Sequence, residues 1–158
     1  MRDGFIKVAA GTPKIRVADC AYNAQQCIAL IGQAAEQGVK VLCLPELCLT
    51  GYTCADLFLQ DTLLQGAEEA LETVLEATKE VDMLIAVGLP VRSKWDNKLY
   101  NCAAVLHKGV GCGLCTDKLS SYDMVFLIPV SVICLKDFIH FSGISKLYHF
   151  LELRHVFL

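Results

Sequence analysis

The chain is 158 residues long, 54 % apolar, and carries a formal charge of −3 at pH 7. That is one domain's length with ample material for a core, and without a basic run no nucleic-acid partner is expected. Nine cysteines, an odd number at irregular spacings, fit no small secreted disulfide framework and are expected as free thiols in the reducing cytoplasm. The N-terminus has no apolar core of a signal peptide. The longest apolar run, Met124–Leu135, is interrupted by Pro129 and Ser131 and falls short of the roughly twenty residues that a bilayer span requires, so no membrane partner is expected either.

In chain order, Phe5, Ile6, Val8 and Ala9 predict a first strand, closed by the turn signal Gly11-Thr12-Pro13. Asn23 followed by Gln26 forms a candidate capping box for a helix. Cys27, Ile28, Ile31 and Ala35 share one face of that helix, and Gly38 stops it. The short apolar run Val39–Leu44 reads as a buried strand of a parallel α/β layer. Asp61 caps a second predicted helix whose inward residues are Leu64, Leu71, Val74 and Leu75. On its other side Glu68, Glu72, Glu76 and Glu80 recur every fourth residue, a like-charge stripe that belongs in water. Met83–Val87 and Leu99–Leu106 supply two more strands, joined by the polar segment Ser93–Lys98. Beyond residue 108 charged residues thin out and the apolar residues follow no sustained period. The division expected is therefore an ordered part, 1–108, and a divergent tail, 109–158.

Glu46 stands immediately after the Val39–Leu44 strand. Ligands of parallel α/β layers collect at the carboxyl ends of strands, and a partly desolvated carboxylate there can act as a general base. Position alone also permits an ordinary surface glutamate. Cys112 and Cys115, with Cys102 and His107 upstream, have one CxxC but no second pair, which is too little for a metal site; none is expected.

The residues around Glu46 carry more. Leu44-Pro45-Glu46-Leu47-Cys48-Leu49-Thr50-Gly51-Tyr52 resembles the first catalytic motif of the nitrilase superfamily. The continuation Thr53-Cys54-Ala55-Asp56-Leu57-Phe58 and the opening Val8–Asp19 resemble the branch of that superfamily that forms the glutaminase domain of glutamine-dependent NAD synthetases. The blocks Ala86–Pro90 and Leu99–Leu106 agree in order and spacing. The resemblance implies an α/β fold of nitrilase type, an α-β-β-α sandwich, here incomplete. It implies hydrolysis of the glutamine side-chain amide by a Glu-Lys-Cys triad, in which the Glu takes the thiol proton, the thiolate attacks the amide carbon and the Lys stabilises the oxyanion. The ammonia would pass to a synthetase domain that amidates deamido-NAD using ATP and magnesium; the glutaminase part itself needs no cofactor. The family assembles into homo-oligomers.

By this resemblance Glu46 is the general base and Tyr52 lines the glutamine pocket. Lys118, in Gly113-Leu114-Cys115-Thr116-Asp117-Lys118-Leu119, stands one residue later than the family's lysine and lacks its proline neighbours. It is either the oxyanion lysine or an exposed one. Phe150-Leu151-Glu152-Leu153-Arg154 resembles the family's Phe-Tyr-Glu-x-Arg block, which places Phe150 in the glutamine pocket and Glu152 beside the lysine. Val132-Ile133-Cys134-Leu135-Lys136-Asp137 echoes the nucleophile motif, but Leu135 and Lys136 replace its acidic pair. Cys134 is therefore expected to be a buried small hydrophobe, and the chain a truncated or disrupted copy that is inactive alone. A stand-alone nitrilase-type amidase and a non-catalytic fragment are the alternatives.

Overall fold

The computed structural model describes residues 5–117. Five strands form one sheet in chain order: β1 (Val8–Ala10), β2 (Val41–Cys43), β3 (Leu84–Arg92), β4 (Leu99–His107) and β5 (Val110–Asp117). The first three are parallel, with Val8 opposite Val41 and Val41 opposite Leu84; β4 and β5 continue antiparallel. Helix α1 (Cys20–Glu36) joins β1 to β2, and a short 3-10 turn (Ala55–Leu59) and helix α2 (Asp61–Ala77) join β2 to β3. Two right-handed crossovers stepping the same way along a sheet put both helices on one face.

The core lies under those helices. Ala24, Cys27, Ile31 and Ala34 of α1 and Leu63, Ala67, Ala70 and Val74 of α2 pack with Leu42, Ile85, Val87, Leu89, Cys102, Ala104 and Leu106 of the sheet. Burying each Val, Leu or Ile contributes roughly 1.5–3 kcal/mol, and the period-2 alternation of β3 and β4 directs these residues to the helical side. The opposite face then receives Ala86, Gly88 and Pro90 of β3 and their cross-strand partners Val105, Ala103 and Asn101 of β4. Pro90 is tolerated because β2 pairs with β3 only as far as Ala86, so no ladder needs the missing N–H.

Three details depart from the sequence reading. The first helix is capped by Asp19, whose side chain accepts from the Tyr22 N–H at 3.1 Å. Asn23 is instead a fully buried residue inside the first turn: its Oδ1 accepts from the Arg16 N–H and its Nδ2 donates to the carbonyls of Arg16 and Leu49. These tertiary partners outcompete the local cap. The second helix has Gln60 at its cap and Asp61 as its first residue. Finally, the sheet does not stop at residue 108. Lys108 and Gly109, both at positive φ, make the two-residue turn that matches strand twist, and β5 returns along β4.

Two expectations about the helices hold. Gly38, at φ +72°, follows the end of α1 as a left-handed stop, and Glu68, Glu72, Glu76 and Glu80 are all exposed. No helix among the described residues is long and apolar enough to cross a membrane.

Candidate active site

Leaving β2, the chain makes a tight turn that carries Glu46. Leu44 N–H bonds to the Ala86 carbonyl at 2.9 Å, so the strand is still in register when the turn begins. The next bend closes on itself through Thr50 N–H and Gly51 N–H, both to the Leu47 carbonyl. Leu49 N–H reaches the Gly88 carbonyl at 3.2 Å, and the Cys48 thiol points to the same oxygen at 3.6 Å. Leu47 itself sits at φ +50°, a left-handed conformation that a leucine adopts only where its surroundings impose it. Gly51 at φ +87° carries the chain out of the bend, its α-carbon hydrogens facing the Val17 backbone.

Gly88 explains where this turn can lie. A Cβ at that position would stand 2.5 Å from Leu47 N and from the Pro45 carbonyl oxygen, and 2.9 Å from the Glu46 carbonyl carbon. The turn therefore rests directly on the bare backbone of β3, on the sheet face away from the helices. Only glycine allows that approach.

Glu46 is half-buried. Its Oε1 accepts a hydrogen bond from Nδ2 of Asn101, on β4. Asn101 is 5 % exposed, and its Oδ1 has no hydrogen-bond partner among the described residues. Since Asn101 faces Pro90 across the ladder, two positions from the Gly88–Ala103 pair and on the same face, three neighbouring strands converge here: β2 delivers the carboxylate, β3 the floor and β4 the amide. Tyr52 follows the same turn and is 43 % exposed. A carboxylate so held can take a proton from a thiol, hydroxyl or water brought to it.

Of the residues singled out from sequence, the structure places Glu46 and Tyr52 on one turn. Lys118, Cys134, Phe150 and Glu152 lie outside the described residues. Asn101 is the partner that sequence reasoning missed; it appeared only as one member of a matching block. Cys20, Cys43, Cys48 and Cys54 are not preset as nucleophiles, whereas the contact with Cys48 lowers Cys27, which is fully buried in the core. Burial, with the charges of Cys54 and Asp19 added, pushes the Cys20 thiol up to about 11. Burial likewise raises Cys43 and Cys54. Cys48 is raised by its contact with Cys27, 4.0 Å away, and by burial. Thiols held in the neutral form are poor attacking groups. A cleft of about 500 Å³ between the start of α1 and α2, lined by Asp19, Cys20, Leu63, Gly66 and Glu69, contains neither Glu46 nor Asn101 and has no part in this site.

A parallel α/β layer that carries its carboxylate on the turn after β2 has the fold of the nitrilase superfamily, as similarity to solved members indicates. The chain belongs to the carbon-nitrogen hydrolase family, which it matches over residues 7–129. A glutamine-dependent NAD(+) synthetase of Mycobacterium leprae is 34 % identical over 111 residues, 70 % of this chain and 16 % of that protein. The crystal structure of a glutamine-dependent NAD(+) synthetase from Cytophaga hutchinsonii superposes with a TM-score of 0.63 at 31 % identity, covering 72 % of this chain and 19 % of that one. An amidase from Nesterenkonia sp. shares the fold alone, with a TM-score of 0.60 at 17 % identity over 80 % of this chain and 49 % of the amidase. The chain thus spans less than a fifth of the length of the synthetases named here.

Proposed function

We propose that this site is the general-base half of a glutaminase, which hydrolyses the side-chain amide of glutamine to supply ammonia for the ATP-dependent amidation of deamido-NAD. The observation that carries the reading is Glu46, seated at the carboxyl end of β2 and bonded to Asn101, inside a stretch that aligns with glutamine-dependent NAD synthetases. Glu46 takes the proton of an attacking thiol, and Tyr52 borders the glutamine. Lys118 is the proposed oxyanion partner and Phe150 a second wall of the pocket.

The amidation itself belongs to a synthetase domain, and so do ATP and magnesium. The described residues hold no group of three His, Cys, Asp or Glu side chains arranged for a metal ion. Homo-oligomer formation and a cytoplasmic setting are part of the same proposal.

This chain alone is proposed to bind glutamine without turning it over. Cys134 lacks the acidic neighbours of the family's nucleophile, and the cysteines raised by burial would attack slowly. Lys118 stands one residue off the family's spacing, and an oxyanion donor out of place forfeits up to about 3–4 kcal/mol. The test is glutamine titrated into the purified chain and its Glu46→Gln variant, with ammonia release measured in parallel. Perturbation of the Tyr52 resonances by glutamine but not by asparagine supports the proposed substrate. Failure to bind glutamine overturns it, and ammonia release well above the variant's would show that one of the cysteines does attack.

A further inference from the structure

We propose that Asn101 is a positioning residue for Glu46, holding the carboxylate by its Oε1 in the orientation and charge state that a proton acceptor needs. The inference rests on the reading of Glu46 as the general base. Three observations carry it.

The first is the contact, a hydrogen bond from Asn101 Nδ2 to Glu46 Oε1 across 55 positions of sequence. An amide donating to a carboxylate favours its ionised form and fixes its rotation. The second is the company Asn101 keeps. The buried run of β4 from residue 101 to Leu106 is otherwise Cys102, Ala103, Ala104, Val105 and Leu106, and on Asn101's own face of the sheet its neighbours are Ala103 and Val105. A position of that kind gains nothing from an amide unless the amide has a task, because an apolar side chain would fill it without desolvating polar atoms.

The third is Oδ1, which is buried and has no hydrogen-bond partner among the described residues. A buried acceptor without a partner opposes folding. An asparagine placed only to satisfy structure is expected to use both ends, as Asn23 does with Arg16 and Leu49. Among the described residues Asn101 uses only its donor end, and uses it on Glu46. The floor beside it, Gly88 and Ala103, offers no polar side chain to do the same.

The test reads Glu46 directly and needs no turnover. The whole chain is prepared with carboxyl-labelled glutamate, and the Glu46 signal is assigned by its disappearance in Glu46→Gln. Its titration is then followed in the parent, in Asn101→Ala and in the isosteric Asn101→Asp. Removing the donor should raise the Glu46 midpoint by roughly one pH unit, and a second carboxylate in its place should raise it further. A midpoint unmoved in Asn101→Asp, with parent-like near-ultraviolet dichroism, overturns the proposal even if Asn101→Ala fails to fold. Because the signal is independent of ammonia release and of glutamine, this result and the outcome of the glutaminase test can be told apart.

Discussion

Replacing Gly88 by alanine adds a single methyl group at the point where the Glu46 turn meets the sheet. The new Cβ would lie 2.5 Å from two backbone atoms of the turn, Leu47 N and Pro45 O, where ordinary contact begins at 3.4 Å. The turn must therefore retreat by about 0.9 Å, the difference between those two distances, and it cannot do so by swinging a flexible side chain. Retreat stretches the Leu49 N–H bond to the Gly88 carbonyl, already 3.2 Å long, and a lost backbone bond contributes about 1 kcal/mol. Overpacking a buried site costs typically 1–3 kcal/mol. The expected destabilisation is thus about 2–4 kcal/mol, read as a lower urea midpoint at unchanged slope and as faster amide exchange at Leu49. Gly32 supplies the control: it is exposed in the interior of α1, and a Cβ there meets nothing within 4 Å. Gly32→Ala should stabilise by roughly 0.5–1 kcal/mol. A Gly88→Ala variant within about 0.5 kcal/mol of the parent, the range of an ordinary surface change, would refute the claim that the turn sits on bare backbone.

Asn23→Ala removes a fully buried side chain that bridges the Arg16 segment to the Leu49 carbonyl; leaving those backbone groups unpaired should lower stability by roughly 2–4 kcal/mol, measured by urea unfolding. Asp82 is bonded to Lys40 at 2.6 Å with Lys108 nearby, and the bond from Lys40, then the charges of both lysines, hold its carboxyl down to about 2. A depressed carboxyl stabilises the fold above its unfolded pKa and loses that contribution as pH falls. Asp82→Asn should accordingly lower the melting temperature at neutral pH, with the difference from the parent closing between about pH 4 and pH 2, and closing also with added salt.

The sheet and both helices were legible because their apolar residues keep period: Val39–Leu44 announces β2, and the Glu46 position follows from where that run ends. What escaped was fixed by contacts distant in sequence. Asn23 reads locally as a cap, and only the arrival of Leu49, 26 positions on, makes it a buried bridge. Strand β5 was missed because Gly111 and Gly113 are weak strand formers; the Lys108-Gly109 pair was its one local signal. Asn101 could not be assigned to Glu46 from any periodicity, since their meeting depends on the register of β4 against β3 and on Gly88 letting the turn down onto the face that Asn101 occupies. The left-handed Leu47 is likewise a product of tertiary closure, as leucine has no intrinsic preference for it.

These constraints give the Leu44–Tyr52 motif a physical meaning beyond the carboxylate it contains. Leu44 ends the strand in register, and Leu47 supplies from a strained φ the carbonyl on which Thr50 and Gly51 close. Cys48 and Leu49 tie the bend to Gly88. The Thr50 carbonyl receives Ala18 N–H at 2.7 Å and so joins the turn to the segment before α1. Nearly all of this is backbone, and backbone attachments leave a side chain little freedom to drift with temperature or substitution. A general base must present its oxygen within roughly 3 Å of the proton it removes. In the proposed role of Glu46, the turn serves that demand by fixing its main chain against β3, and among the described residues Asn101 on β4 donates to the carboxylate. On this account the motif residues flanking Glu46 act on its location and Asn101 on its orientation, so substitutions in the two groups should differ in kind: the former loosen the fold, the latter change the carboxylate while the fold persists.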